Sequence, residues 1–162
     1  MLKVLIVDDE LLVRTNLRYM LDWEANGFSI CGEASNGAEA IKLAQKMSPD
    51  IILSDIRMPV MDGLELSHQL KKLYPESILI VLSNYDDFEY VKGTLKNGAI
   101  DYILKHNLSI STLSEALHRA KEFASKRREN TASKPYSINN LLALRENFLI
   151  HLLSGFYKKK MK

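Results

Sequence analysis

The chain has 162 residues, a formal net charge of +2 and 46% hydrophobic residues. That is room for one domain of ordinary size plus an extension, large enough to bury a core without staples. The single cysteine, Cys31, excludes an internal disulfide and points to a reducing compartment. No run is long enough to cross a bilayer, and Met1 leads almost directly into a strand pattern instead of a signal peptide, so the expected location is cytoplasmic, away from membranes.

The small net charge hides an asymmetry. Residues 1–120 carry 12 Lys/Arg against 17 Asp/Glu, whereas residues 121–162 carry 10 against 3. An acidic globule followed by a basic extension suggests two functional parts. The basic part reads as a solvated linker, a segment lying near nucleic acid, or an end effect of the four lysines within Lys158 to Lys162.

In chain order, Leu2 to Val7 is an apolar run, apart from Lys3, that ends in Asp8-Asp9-Glu10. Leu12, Val13, Leu17, Met20 and Leu21 make a helical stripe over Leu11 to Leu21, broken by Ala25-Asn26-Gly27. Phe28 begins a second strand that ends near Ala34, and Ser35-Asn36-Gly37 opens a second helix that Ser48-Pro49-Asp50 stops. Ile51 to Ser54 is the third strand, followed by Asp55 and a loop through Gly63. A third helix spans about Asp62 to Leu73, and a fourth strand spans Ile78 to Leu82 and ends in Ser83. A fourth helix runs from about Asp86 to Lys96 with Asn97-Gly98 as its stop. Ile100 to Leu104 is the fifth strand, ending in Lys105, and a fifth helix begins near Ser109 or Ser111. Five such β–α units predict a doubly wound parallel sheet with helices on both faces.

Domain boundaries follow from the same pass. Residues 1–128 form the α/β domain. Residues 129–138, polar and containing Pro135, read as a linker. Residues 139–162 form a helical extension, with Leu141, Leu144, Phe148, Leu149, Leu152 and Leu153 at helical spacing. That stripe has nothing downstream to cover it, so the expectation is that it folds back, pairs with another chain or meets a further domain.

In a sheet of order 2-1-3-4-5, strands one and three are neighbours at the topological switch point, and ligands bind beyond their carboxyl ends. Asp8, Asp9 and Asp55 then converge with Ser83 and Lys105. Taken singly, each has a plainer reading: Asp9-Glu10 as a helix cap, Asp55 as a turn residue, Ser83 as strand termination, Lys105 as a surface lysine. Together, three carboxylates in one crevice call for a cation between them. Magnesium suits the all-oxygen set, with Asp9 and Asp55 as direct ligands, Asp8 acting through water and the backbone carbonyl near Arg57 as a further oxygen. A carboxylate can accept a phosphoryl group, Lys105 can balance its charge, and Ser83 can donate to one of its oxygens.

These residues carry a resemblance. Val7-Asp8-Asp9-Glu10, the run Ser54-Asp55-Ile56-Arg57-Met58-Pro59-Val60-Met61-Asp62-Gly63, Leu82-Ser83 and Asp101-Tyr102-Ile103-Leu104-Lys105 resemble the motifs of the receiver domain of bacterial two-component response regulators. The resemblance covers about residues 2–125. It implies a flavodoxin-like (βα)5 fold and phosphorylation of Asp55 by a sensor histidine kinase. It also implies a switch pair of Ser83 and Tyr102. Two positions differ from the family pattern: His106 stands where proline usually follows the lysine, and Asn84 where a small residue is common. Leu21-Asp22-Trp23-Glu24, Ser83-Asn84-Tyr85-Asp86-Asp87-Phe88-Glu89-Tyr90 and Leu144-Arg145-Glu146-Asn147-Phe148-Leu149 are similar to the subgroup that carries an AraC-type helix-turn-helix output domain. Too few residues follow Ser154 to hold that domain, so DNA contact is expected only through a part beyond this chain. A homodimer would form through the fourth helix, fifth strand and fifth helix, or through the C-terminal helix. Two other function classes fit the residues: a stand-alone receiver acting by protein contact, and a magnesium-dependent phosphatase passing through an aspartyl phosphate.

Overall fold

The computed structural model describes residues 1–84 and 87–131. Tyr85, Asp86, most of the expected linker and the helix expected over 139–162 lie outside the described residues. The chain divides into two units, Met1–Ala124 and Ser125–Lys162, and the first contains the whole sheet.

Five parallel strands and five helices alternate: β1 Leu2–Val7, α1 Leu11–Met20, β2 Phe28–Ala34, α2 Gly37–Met47, β3 Ile51–Asp55, α3 Gly63–Leu73, β4 Ile78–Ser83, α4 Phe88–Lys96, β5 Asp101–Leu104 and α5 Ile110–Thr131. The sheet order is β2-β1-β3-β4-β5. The three central strands are buried on both faces over most of their length, which is why residues 4–7 of β1, 51–53 of β3 and 78–82 of β4 read as continuous apolar runs rather than alternating ones.

Alternate strand residues sort onto two cores. Val4, Ile6, Leu53, Ile80, Leu82 and Ile103 pack with Leu17 of α1 and Leu113, Ala116, Leu117 and Ala120 of α5. The opposite face buries Leu5, Ile52, Leu79 and Val81, with Ala40, Leu66, Leu70, Val91 and Leu95 from α2, α3 and α4. Each fully buried aliphatic side chain contributes about 1.5–3 kcal/mol. Trp23 is buried, and its indole N–H donates to the carbonyls of Leu17 and Arg18 at 3.3 and 3.0 Å, closing the end of α1.

Local signals set the helix starts. Asn36 accepts from the Glu39 amide at 2.9 Å while Glu39 accepts from the Ser35 amide at 2.7 Å, a reciprocal cap. Asp62 caps α3 through the Glu65 amide at 2.9 Å. At α1 the expected Asp9-Glu10 cap is not the one used: Glu10 is the N-cap residue and its side chain makes no cap bond. The carboxylate that binds there is Asp8, whose Oδ1 accepts from the Glu10 amide at 2.9 Å. At the other end of the domain, α5 stays helical through Thr131, over the first residues expected as linker. Lys126-Arg127-Arg128-Glu129 are good helix formers, and the first proline comes only at Pro135.

Candidate functional site

Register brings the strand ends level. Val7 pairs with Ser54, so Asp8 and Asp55 follow side by side; Asp55 pairs with Leu82, and Ser83 pairs with Leu104. The polar residues that end four apolar strands therefore emerge together beyond the carboxyl edge.

One carboxylate oxygen from each of Asp8, Asp9 and Asp55 lies within 4.8 Å of the others; Asp8 and Asp55 are buried and Asp9 is exposed. Lys105 Nζ stands 2.9 Å from Asp8 Oδ2 and 3.1 Å from Asp55 Oδ2, with Glu10 Oε1 at 3.8 Å. The other oxygen of each buried acid is tied to backbone: Asp8 Oδ1 to the Glu10 amide, and Asp55 Oδ1 to the Ile56 amide at 2.7 Å. The lysine ammonium is thus the one partner of Asp8 Oδ2 among the described residues, shared with Asp55 Oδ2. The Ser83 hydroxyl is buried and without a partner among them.

The electrostatics follow from the count of charges. Burial pushes the Asp55 carboxyl up to about 6; Lys105 pulls it down, and Asp8 pushes it further up. Burial likewise raises Asp8, against the opposing hydrogen bond and charge of Lys105. Burial alone would lower Lys105, but Asp8 and Asp55 together outweigh it and raise its pKa. One ammonium among three carboxylates leaves an excess of negative charge in a largely desolvated place. All the donors are oxygens and the carboxylates outnumber the one ammonium, so the cluster suits a hard divalent cation.

The frame around the cluster is tight. The Gly63 amide donates to the Ile56 carbonyl at 2.7 Å, and a Cβ on Gly63 would meet the Asp55 carbonyl oxygen at 2.6 Å and Ile56 Cα at 2.8 Å. Both are backbone atoms, so only glycine lets α3 start this close to β3. In the same loop Val60 has φ 68 and is exposed, a costly conformation for a β-branched residue.

Lys105 opens a single 3-10 turn over Lys105–Asn107, and no peptide bond among the described residues is cis. With His106 in place of proline, this trans turn still brings Lys105 to both buried acids. Tyr102 lies half-buried on β5, opposite Val81 and three residues before Lys105. By strand alternation it faces away from the core residue Ile103.

Some contacts at the site are not evident from the sequence. The Arg57 guanidinium pairs with buried Asp87 and stands 5.0 Å from the centre of the Tyr90 ring, joining the β3–α3 loop to the start of α4. The other Asp87 oxygen accepts from the Asn84 amide at 2.9 Å. The available signal is positional: Arg57 stands two residues after Asp55 and Asp87 four after Ser83, just beyond neighbouring strands. On the far side of the site, Arg14 donates to the Asp8 carbonyl at 2.6 Å.

Comparison with known proteins bears on the fold and the family. The crystallised receiver domain of AraT, a response regulator from Geobacillus stearothermophilus, superposes with a TM-score of 0.73 at 33% identity, covering 78% of this chain and 98% of that one. A two-component transcriptional regulator AraC from Clostridium phytofermentans superposes with a TM-score of 0.72 at 38% identity, covering 79% and 98%. Among curated sequences, the transcriptional regulatory protein YesN of Bacillus subtilis is 37% identical over 124 residues, 75% of this chain and 34% of YesN. HptR of Staphylococcus aureus, also a transcriptional regulatory protein, is 38% identical over 105 residues, 65% of this chain and 41% of HptR. The chain thus spans less than half the length of these curated relatives. Residues 4–118 match the sequence model of the response regulator receiver domain, and the chain belongs to that family.

Proposed function

We propose that this receiver is the phosphoacceptor of a two-component system, with Asp55 as the residue that takes the phosphoryl group from a phosphohistidine of a sensor histidine kinase. The observation that carries the reading is the placement of Asp55: buried at the end of β3, its Oδ2 3.1 Å from Lys105 Nζ and beside Asp8 and Asp9. In the transfer an Asp55 oxygen bonds to phosphorus as the phosphorus–nitrogen bond breaks, and the imidazole keeps that electron pair and takes up a proton. Lys105 neutralises a phosphoryl oxygen, and the Ser83 hydroxyl, buried without a partner, donates to another. A magnesium ion held by Asp9 and Asp55, with Asp8 through water and the Arg57 backbone carbonyl as a further oxygen, would supply the remaining positive charge.

Phosphorylation adds about −1.5 to −2 charges and three acceptor oxygens. Recruiting Ser83 and Lys105 draws on the loops after β4 and β5, and Ser83 and Tyr102 act as the switch pair that alters the α4–β5–α5 surface. In this reading the receiver closes with α5, and the residues beyond Thr131 are a linker and a helical segment that lead to a DNA-binding output. The full-length protein would then regulate transcription in the cytoplasm and dimerise through α4–β5–α5 or the C-terminal segment. The names of YesN and HptR support this reading of the output. No helix among the described residues is long and apolar enough to cross a membrane. Asp55 is a stoichiometric acceptor in this reading, not an enzyme's turnover nucleophile.

The test is binding of beryllofluoride with magnesium, followed by fluorine NMR. Wild type is expected to give a bound signal that Asp55→Asn abolishes. An equal signal from both proteins would remove Asp55 from the mechanism.

A further inference from the structure

We infer that Arg14 is a positioning residue for the cation site, fixing the peptide plane between Asp8 and Asp9 so that both carboxylates converge with Asp55. This rests on the metal-binding reading above. Arg14 lies in the first turns of α1 and is mostly buried. Its Nη1 donates to the Asp8 carbonyl at 2.6 Å, and its Nε donates to Glu33 of β2 at 3.3 Å. Its own amide donates to the Glu10 carbonyl at 3.2 Å, closing the Asp8-Asp9-Glu10 turn into a ring. Arg18 also pairs with Glu33, so that carboxylate is itself held in place.

The Asp8 carbonyl belongs to the peptide that joins the two acids. Asp8 is then fixed at every polar group but one: its amide donates to Ala34 at 3.1 Å, its carbonyl takes Arg14, and its Oδ1 takes Glu10, leaving Oδ2 aimed at Lys105 and the cluster. Asp9 is exposed, and the direction of its carboxylate depends on the backbone that carries it. Without the guanidinium, that peptide can rotate, and the two carboxylates lose their common target. Groups that orient metal ligands from outside the coordination sphere are worth about 10–100-fold in affinity.

The sign of the effect separates positioning from bulk electrostatics. A guanidinium beside a divalent cation repels it, so deleting the charge with the geometry intact would tighten binding. Positioning requires the reverse.

The experiment is a Mn2+ titration of the full chain followed by the electron paramagnetic resonance signal of the free ion, with melting curves recorded in parallel. Arg14→Ala is expected to bind Mn2+ about 10-fold more weakly than wild type, and Arg14→Lys, which keeps one donor and the charge, is expected to fall between them. Glu33→Gln breaks the ion pair but leaves Arg14 on the Asp8 carbonyl, and is expected to bind like wild type even where it melts earlier. Equal or tighter binding by Arg14→Ala overturns the inference, as does a loss in Glu33→Gln as large as that in Arg14→Ala. If Arg14→Ala does not fold, Arg14→Lys binding as tightly as wild type overturns it. Wild type binding no Mn2+ would overturn the metal-binding reading itself, a different result from wild type binding well and Arg14→Ala binding equally well.

Discussion

Asp55 holds a protonatable carboxyl where a charge is expensive, and this makes the resting protein's stability depend on pH in a calculable way. The residue is 4% exposed. Its carboxyl is raised from 3.8 to about 6, chiefly by burial. Below about pH 4 both folded and unfolded chains carry the proton, and between about pH 4 and 6 the folded chain keeps a proton that the unfolded chain has released. Above about pH 6 both chains are ionised, so stability falls as pH rises from about 4 to about 6 and this group changes it no further above that. At 1.36 kcal/mol per pH unit, the cost for this one group approaches about 3 kcal/mol at neutral pH. Asparagine matches the neutral acid in shape and cannot ionise. In urea unfolding with EDTA, Asp55→Asn is therefore expected to exceed wild type by about 2–3 kcal/mol above about pH 7, and to match it near pH 4. Because Asp8 and Asp101 are also raised, the difference between the two proteins, not the wild-type curve alone, isolates Asp55. Saturating magnesium is expected to close the gap by stabilising wild type more. A gap independent of pH, or a variant less stable than wild type at about pH 8, would refute the reasoning.

Three further substitutions probe the frame. Ser83→Ala removes a buried hydroxyl that has no partner, so the resting protein is expected to keep or gain up to about 1 kcal/mol in urea unfolding, while the beryllofluoride-induced NMR shifts across α4 and β5 shrink. Gly63→Ala drives a Cβ into the Asp55 carbonyl and Ile56 Cα, and is expected to cost about 1–3 kcal/mol and to weaken Mn2+ binding measured by titration. Val60→Asn relieves a left-handed backbone at an exposed position, and is expected to raise stability by about 1 kcal/mol, read as an increase in Tm.

The sheet was legible because its central strands are apolar on both faces and stop abruptly in polar residues, so each strand end announced itself. Asp55, Ser83 and Lys105 could be placed for that reason: strand order and register alone bring them together. Asp8 was legible as part of an acidic pair but not in its backbone role, because a capping signal at Asp9-Glu10 reads the same whichever carboxylate makes the bond. Arg57 was legible only through its backbone carbonyl, and its guanidinium, Arg14 and Asp87 were not legible as part of the site, since each acts by reaching across elements and a charged side chain on a helix or loop has many equivalent readings. The linker was expected from residue 129, and α5 runs to Thr131, because the polar composition there resembles a linker while the residues through Thr131 carry no helix breaker.

The central claim is that Asp55 accepts the phosphoryl group, and mass spectrometry after treatment with acetyl phosphate and magnesium tests it most directly. Wild type is expected to gain the mass of one phosphoryl group, labile to hydroxylamine and mapped to the peptide that carries Asp55, with no gain in Asp55→Asn. A label mapped to another residue, or one acquired equally by Asp55→Asn, would contradict it.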